Sequence, residues 1–109
     1  MQSPLQELEA TYFTLQSQID ALNEDCQTQA QSNMLSAQYV QARQNYWACV
    51  NKAFHDDDPQ VVSLTNQIDA ANQQLSNAVG ELGDITQTLN YITNVVTLGT
   101  QLASNVITV

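Results

Sequence analysis

Apolar residues recur every three or four positions through the second half of the chain, the spacing of one face of a coiled-coil helix. This series continues without a polar residue through Val61, Leu64, Ile68, Ala71, Leu75, Ala78, Leu82, Ile85, Leu89, Ile92, Val96, Gly99, Ala103 and Val106. The first half begins with the same spacing, from Leu5 to Cys26. The pattern predicts long amphipathic helices and no extended sheet.

Each half of the chain opens with a helix-capping residue followed by proline. Ser3-Pro4 and Asp58-Pro59 both place an N-cap residue before proline at the first helical position, where its missing N–H costs nothing. Gln6 completes a capping box with Ser3. Two helices are therefore predicted to begin at equivalent points of two halves of equal length.

The caps and the periodicity together predict one helical domain over residues 1–109. We expect helices over 4–54 and 59–108, joined by a turn at 55–58. The predicted fold class is all-α, a long antiparallel two-helix hairpin with coiled-coil packing. Each arm would be about 75 Å long at the α-helical rise. Because two helices cannot enclose a core, we also expect self-association into a four-helix bundle.

The apolar seam weakens at mid-height in both arms. In the hairpin, the polar stretch 29–36 lies opposite 77–84, where glycines interrupt the helix at a cost of roughly 0.5–1 kcal/mol each. The residues at this level are Asn33, Ser36, Gly80 and Gly83. Three interpretations remain open: a hinge or break near 31–33 and 79–84, a close-packing point for a partner helix, or a soft spot in continuous helices.

The charge balance restricts the partners. The net charge is −9, with 11 acidic residues and only two basic ones, Arg43 and Lys52. Nucleic-acid binding is excluded because it needs clustered basic residues, and an anionic membrane surface is disfavoured for the same reason. The partners we expect are further copies of the chain or other helical proteins.

Aromatic residues gather in the last turns of the first arm. Tryptophan and tyrosine are favoured interface anchors, although aromatic residues near a turn also serve as intramolecular core. The predicted interface combines this group with part of the second arm: Tyr39, Tyr46, Trp47, Val50, Phe54, Ile85, Leu89, Ile92 and Val96. Arg43 is expected to face Asp69 and to fix the register by an ion pair; the alternative is that Arg43 extends to solvent.

The C-terminal segment carries no charged residue after Asp84. Asn94, Gln101 and Asn105 make it too polar for a spanning helix. We expect it to pack against the first arm or a partner. Insertion of residues 85–109 into a membrane after a conformational change is disfavoured and left open.

The sequence offers no motif for catalysis, a cofactor or a metal. His55 and the three aspartates that follow it are interpreted as a helix cap and turn, because consecutive residues rarely point at one metal. Cys26 and Cys49 would lie about 35 Å apart on one helix and are expected to be free thiols; the alternative is a disulfide bond between two molecules. No secretory signal peptide is recognised, which favours a cytoplasmic location and leaves open leaderless export or the earlier removal of a signal peptide.

The predicted shape is similar to the small leaderless helical hairpins exported by ESX-type systems. Those proteins carry a Trp-x-Gly motif at the turn, whereas this chain has Trp47-Ala-Cys before the turn. Type III secretion needle subunits are also short hairpins with proline at the turn. Both resemblances concern topology alone and assign no residue a role.

The expected function is that of a non-enzymatic coiled-coil structural or interaction protein, acting as an adaptor or assembly subunit. The alternative is a leaderless exported effector or pore-related protein that uses the uncharged C-terminal tail.

Overall fold

The computed structural model describes residues 3–50, 53–54, 58–80, 84–104 and 106–107. The predicted all-α class is confirmed, since four helices pack against each other. They are α1 (Pro4–Asp25), α2 (Gln29–Cys49), α3 (Pro59–Gly80) and α4 (Ile85–Ala103). A two-residue antiparallel pairing joins β1 (Ala53–Phe54) to β2 (Val106–Ile107).

Each of the four helices begins after a residue whose side chain caps its N-terminus. Ser3 and Gln6 form the predicted capping box, with each side chain accepting from the other residue's backbone N–H. The Asp58 carboxylate accepts from the N–H of Gln60, 2.8 Å away, at the start of α3. Thr28 and Asp84 cap α2 and α4 in the same way. A polar side chain thus satisfies backbone donors at every helix start.

The two long arms expected over 4–54 and 59–108 are each divided. In the first arm α1 ends at Asp25 and α2 begins at Gln29, so the break lies at 26–28 and not at 31–33. In the second arm the break falls between the end of α3 and the start of α4. The molecule measures 42 × 22 × 18 Å, far shorter than the predicted arm of about 75 Å.

The first break follows a change in phase of the apolar stripe. Leu8, Leu15 and Leu22 follow one heptad frame, whereas Leu35 and its successors in α2 follow a frame shifted by one residue. One straight helix cannot turn both stripes toward the same core. Because the chain folds back at 26–28, both apolar stripes face the common core.

The helices form a ring in the order α1, α2, α4, α3. Helix α4 contacts all three other helices, whereas α2 packs mainly on α1 and α4. The amide of Asn45 donates to Thr100 Oγ1 over 3.1 Å, and that of Gln31 donates to Thr86 Oγ1 over 3.4 Å, so α2 and α4 run parallel. The first helix pair (α1 and α2) therefore lies beside the second helix pair (α3 and α4).

Each helix contributes three buried residues at heptad spacing. Eleven of the twelve are apolar: Leu8, Leu15, Leu22, Leu35, Ala42, Cys49, Val61, Ile68, Leu75, Thr88, Val95 and Leu102. The eleven apolar residues belong to one continuous core, and Thr88 is the one polar residue of this set of twelve. The chain thus encloses a core by itself, and a partner is not needed to bury the seam.

The two helix pairs repeat one burial pattern. Residues of the first pair match residues of the second 53 positions later, as Leu15 matches Ile68. The strands follow the same shift, and their pairing is reciprocal: Ala53 lies opposite Ile107, and Phe54 opposite Val106. The twelve core positions of the two pairs therefore match, and the pairs differ elsewhere.

Candidate interaction surface

Helices α1 and α2 build a connected cluster of aromatic rings. Tyr12 is buried at its centre, with ring centroids 5.7 Å from Tyr46 and 5.9 Å from Tyr39. Tyr46 continues outward to Phe13 at 6.1 Å and to Trp47 at 5.4 Å. These separations lie within the range of favourable ring contacts. The buried Tyr12 and the partly buried Tyr46 thus contact the outer rings and connect them to the core.

The outer part of this cluster is exposed. Trp47 is 57% exposed and Phe13 is 47% exposed. Met34 and Val40 are also exposed, and all four large exposed apolar residues of the described chain lie on the first helix pair. We call Phe13, Tyr46 and Trp47 the aromatic surface. A contiguous exposed apolar patch is a feature of association sites, whereas scattered apolar residues need no explanation.

One acidic and one basic side chain flank the aromatic surface. The Tyr46 hydroxyl donates to Glu9 Oε2 over 3.3 Å, and burial followed by the Glu9 charge raises the Tyr46 pKa. Burial and then Tyr12 raise the Tyr39 pKa, while the positive charge of Arg43 opposes that rise. Glu9 therefore lies beside Tyr46, and Arg43 beside Tyr39.

The predicted interface residues separate into two groups. Trp47 is exposed, and Tyr39, Tyr46 and Val50 are partly buried; the side chain of Phe54 lies outside the described residues. The second-arm members are buried in the chain's own core: Ile85, Leu89, Ile92 and Val96. Only the first-arm group is placed to meet a partner.

The predicted register pair is not formed in the structure. Arg43 is exposed on α2 beside Tyr39, and Asp69 is exposed on α3, where its charge acts on Glu7. The reason is the fold itself, because dividing both arms removes the facing of residues that a continuous hairpin would impose. Arg43 thus extends to solvent, the alternative considered for it.

The mid-height residues of the two arms are placed differently. In the second arm α3 ends at Gly80 and α4 begins at Ile85, within the predicted 79–84, whereas in the first arm the break does not fall at 31–33. Asn33 and Ser36 are exposed on α2, where Asn33 Oδ1 accepts from the Gln29 amide at 2.9 Å. Gly80 is the last residue of α3, and Gly83 lies outside the described residues. The polar stretch of the first arm is thus the solvent face of an intact helix.

The glycine that does mark a close approach is Gly99. A Cβ built there would lie 3.1 Å from Leu8 Cδ2 and 3.3 Å from Asn45 Nδ2. Gly99 belongs to the predicted seam, but periodicity does not indicate that it lets α4 meet α1 and α2 at one point. Asn45 is buried there and bonds Thr100, a polar contact that heptad counting missed.

A buried carboxyl group lies between α1 and α3. Glu7 is 1% exposed, and its Oε2 has no hydrogen-bond partner among the described residues. Asn72 donates to the Glu7 backbone carbonyl at 3.1 Å and accepts from the Thr11 hydroxyl at 2.7 Å. Burial first, and then the charge of Asp69, raises the Glu7 pKa to about 7. No sequence signal distinguishes this glutamate from an ordinary solvated one.

The remaining polar and thiol groups of the described residues form no further site. No group of three His, Cys, Asp or Glu residues within them is arranged to hold a metal. A shallow groove of about 240 Å³ between α3 and α4 is lined mainly by amides and hydroxyls. Cys26 and Cys49 are free thiols, and burial raises the pKa of both. The predicted turn residues 55–57 lie outside the described residues.

No helix in the described parts of the chain has the length and apolar character needed to cross a bilayer. Comparison with protein families, with curated proteins and with solved structures finds no match to this chain.

Proposed function

We propose that this protein is a non-enzymatic interaction protein, an adaptor or assembly subunit that associates through the aromatic surface. The partners are helical proteins, in the first instance further copies of this chain. The observation that carries the proposal is the exposure of Trp47 and Phe13 on rings that are connected to the buried core through Tyr46 and Tyr12.

The arrangement of this surface suits association. Buried neighbours hold the rings, so little side-chain entropy is lost when a partner covers them. Trp and Tyr are the residues most often found to dominate binding energy, especially when the surrounding contacts exclude water. Helix α2 adds the apolar side chain of Val40, seven residues before Trp47 on the same helical face.

The alternative function, an exported effector or pore-related protein acting through the uncharged tail, is supported by the absence of charge after Asp84. In the folded chain, however, α4 supplies eight buried residues to the core. Using that helix outside the molecule would require the four-helix packing to open. We therefore prefer association of the folded protein.

The test compares the wild-type protein with Trp47→Ser by sedimentation velocity at micromolar concentrations. We expect the wild type to associate and the variant to sediment as a monomer with almost unchanged thermal stability, because Trp47 lies outside the core. Thr97→Ser, at an exposed position of α4, is the matched control and should associate like the wild type. A wild type that stays monomeric, or a Trp47→Ser variant that associates equally well, would refute the proposal.

A further inference from the structure

Charged side chains of both signs flank the aromatic surface, one on α1 and one on α2. Glu9 and Phe13 are four residues apart on α1, and Arg43 and Trp47 are four residues apart on α2. Residues at this spacing project from the same side of a helix. Each helix therefore presents one charged side chain beside one exposed ring, and the charges are opposite.

Arg43 is unusual in this molecule. It is the only basic residue among those that the structure describes, and it is exposed. It is also the only charged residue of α2. Within the described residues no carboxylate pairs with it in a salt bridge. A positive charge beside an exposed tryptophan, in a chain of net charge −9, is thus available to an acidic group from outside.

We infer that the occupant of the aromatic surface is a second copy of this chain, related by a two-fold axis, with Arg43 of each copy paired to Glu9 of the other. This inference rests on the proposed function and specifies its partner. A two-fold interface brings the same patch together twice, so a surface with one acidic and one basic edge is complementary to itself.

The positions of the charges and the rings are compatible with such a dimer. Glu9 lies beside Tyr46 on one part of this surface, and Arg43 lies beside Tyr39, seven residues earlier on α2. The two charges thus occupy different positions, and a two-fold rotation can lay each of them over its opposite. The rings of both copies then meet between the edges, where covering them lowers the dielectric around the two ion pairs. A strongly basic partner would instead be repelled by Arg43 beside the rings.

The test is a charge exchange measured by sedimentation equilibrium of the full chain. Arg43→Glu alone and Glu9→Lys alone should each weaken the dimer about ten-fold or more, because each change places like charges together twice in the interface. The double variant R43E/E9K should return to within about three-fold of the wild type. The matched control is R43E/E24K, which has the same net charge but places the lysine fifteen residues further along α1.

The outcomes are distinguishable. Recovery in R43E/E9K without recovery in R43E/E24K supports the paired two-fold dimer. Equal recovery in both double variants would show that only net charge matters and would overturn the inference. If Trp47→Ser dissociates the protein while none of the charge variants changes the dissociation constant, the proposed function stands and this inference is wrong. Circular dichroism of each variant verifies that the helices are retained.

Discussion

Helices α2 and α4 are similar in length and almost free of charge, yet they meet different environments. Helix α4 buries eight of its 19 residues, whereas α2 buries four of its 21. The reason is position, since α4 contacts all three other helices and α2 has no extensive contact with α3. Apolar residues that α2 does not bury remain on the outside as Val40, Met34 and Trp47. Uneven burial of similar helices is what gives this molecule a surface suited to a partner.

The difference in burial predicts that truncating a side chain lowers the stability far more in α4 than in α2. Ile92→Ala in α4 should lower the free energy of unfolding by about 2–5 kcal/mol, because Ile92 is fully buried and its loss leaves a cavity. Val40→Ala in α2 should change it by no more than about 0.5 kcal/mol, because that side chain is 46% exposed. Urea denaturation of the two variants measures both values. Similar losses at both positions would contradict the difference between the two helices.

A second difference is that the first helix pair buries a carboxyl group against the second. Because the Glu7 pKa is raised from 4.5 to about 7 on folding, the folded state holds this proton at a higher pH than the unfolded state does. Its stabilising effect is complete below pH 4.5 and is lost as the pH rises through about 7. The loss corresponds to about 3 kcal/mol.

The test is the stability of Glu7→Gln as a function of pH. We expect the variant to lose this part of the pH dependence and to be more stable than the wild type at pH 8. Asp69→Asn should give a smaller change in the same direction, since Asp69 is the second cause of the raised pKa. The other packed helices face Glu7 without an acidic group: α4 has no charged residue, and the single charge of α2, on Arg43, lies beside Tyr39. Parallel pH profiles for wild type and Glu7→Gln would contradict the prediction.

A smaller loss of stability is expected at the point where α4 meets both helices of the first pair. Gly99→Ala gains about 1 kcal/mol of helix propensity. The added methyl group would crowd Leu8 and Asn45, at a cost of about 1–3 kcal/mol in a packed core. We therefore expect a net loss near 1 kcal/mol on thermal unfolding. Thr97→Ala, exposed on the same helix, serves as control and should gain slightly; a Gly99→Ala variant that gains equally would show that the space is open.

Much of the fold could be predicted from the sequence, because caps and periodicity are local signals. The all-α class and the starts at Pro4 and Pro59 are confirmed. The number of helices could not be predicted from these local signals alone. A heptad seam looks alike whether it packs on a distant arm or on the next helix after a short turn, and no glycine or proline marks the break at 26–28. The shift of the apolar stripe between Leu22 and Leu35 was the available signal.

The residues of the candidate site could likewise be predicted only in part. The aromatic residues of the first arm were identified from composition and their clustering in sequence. Glu9, Phe13 and Tyr12 were not, because their contacts depend on α1 folding against α2. Conversely, Ile92 and Val96 were assigned to an interface that the chain's own four-helix packing now occupies. Long-range packing decides which apolar residues are left exposed, and periodicity alone does not contain that information.

The most direct measurement of the central claim is the fluorescence of Trp47, the only tryptophan of the chain, as a function of protein concentration. Trp47 is 57% exposed in the single chain, so its emission at high dilution should be that of a solvated indole and open to iodide quenching. As the mass measured by light scattering rises, emission should shift to the blue and quenching should fall, because a second copy covers the ring. Association without any change at Trp47, or no association at all, would contradict the account.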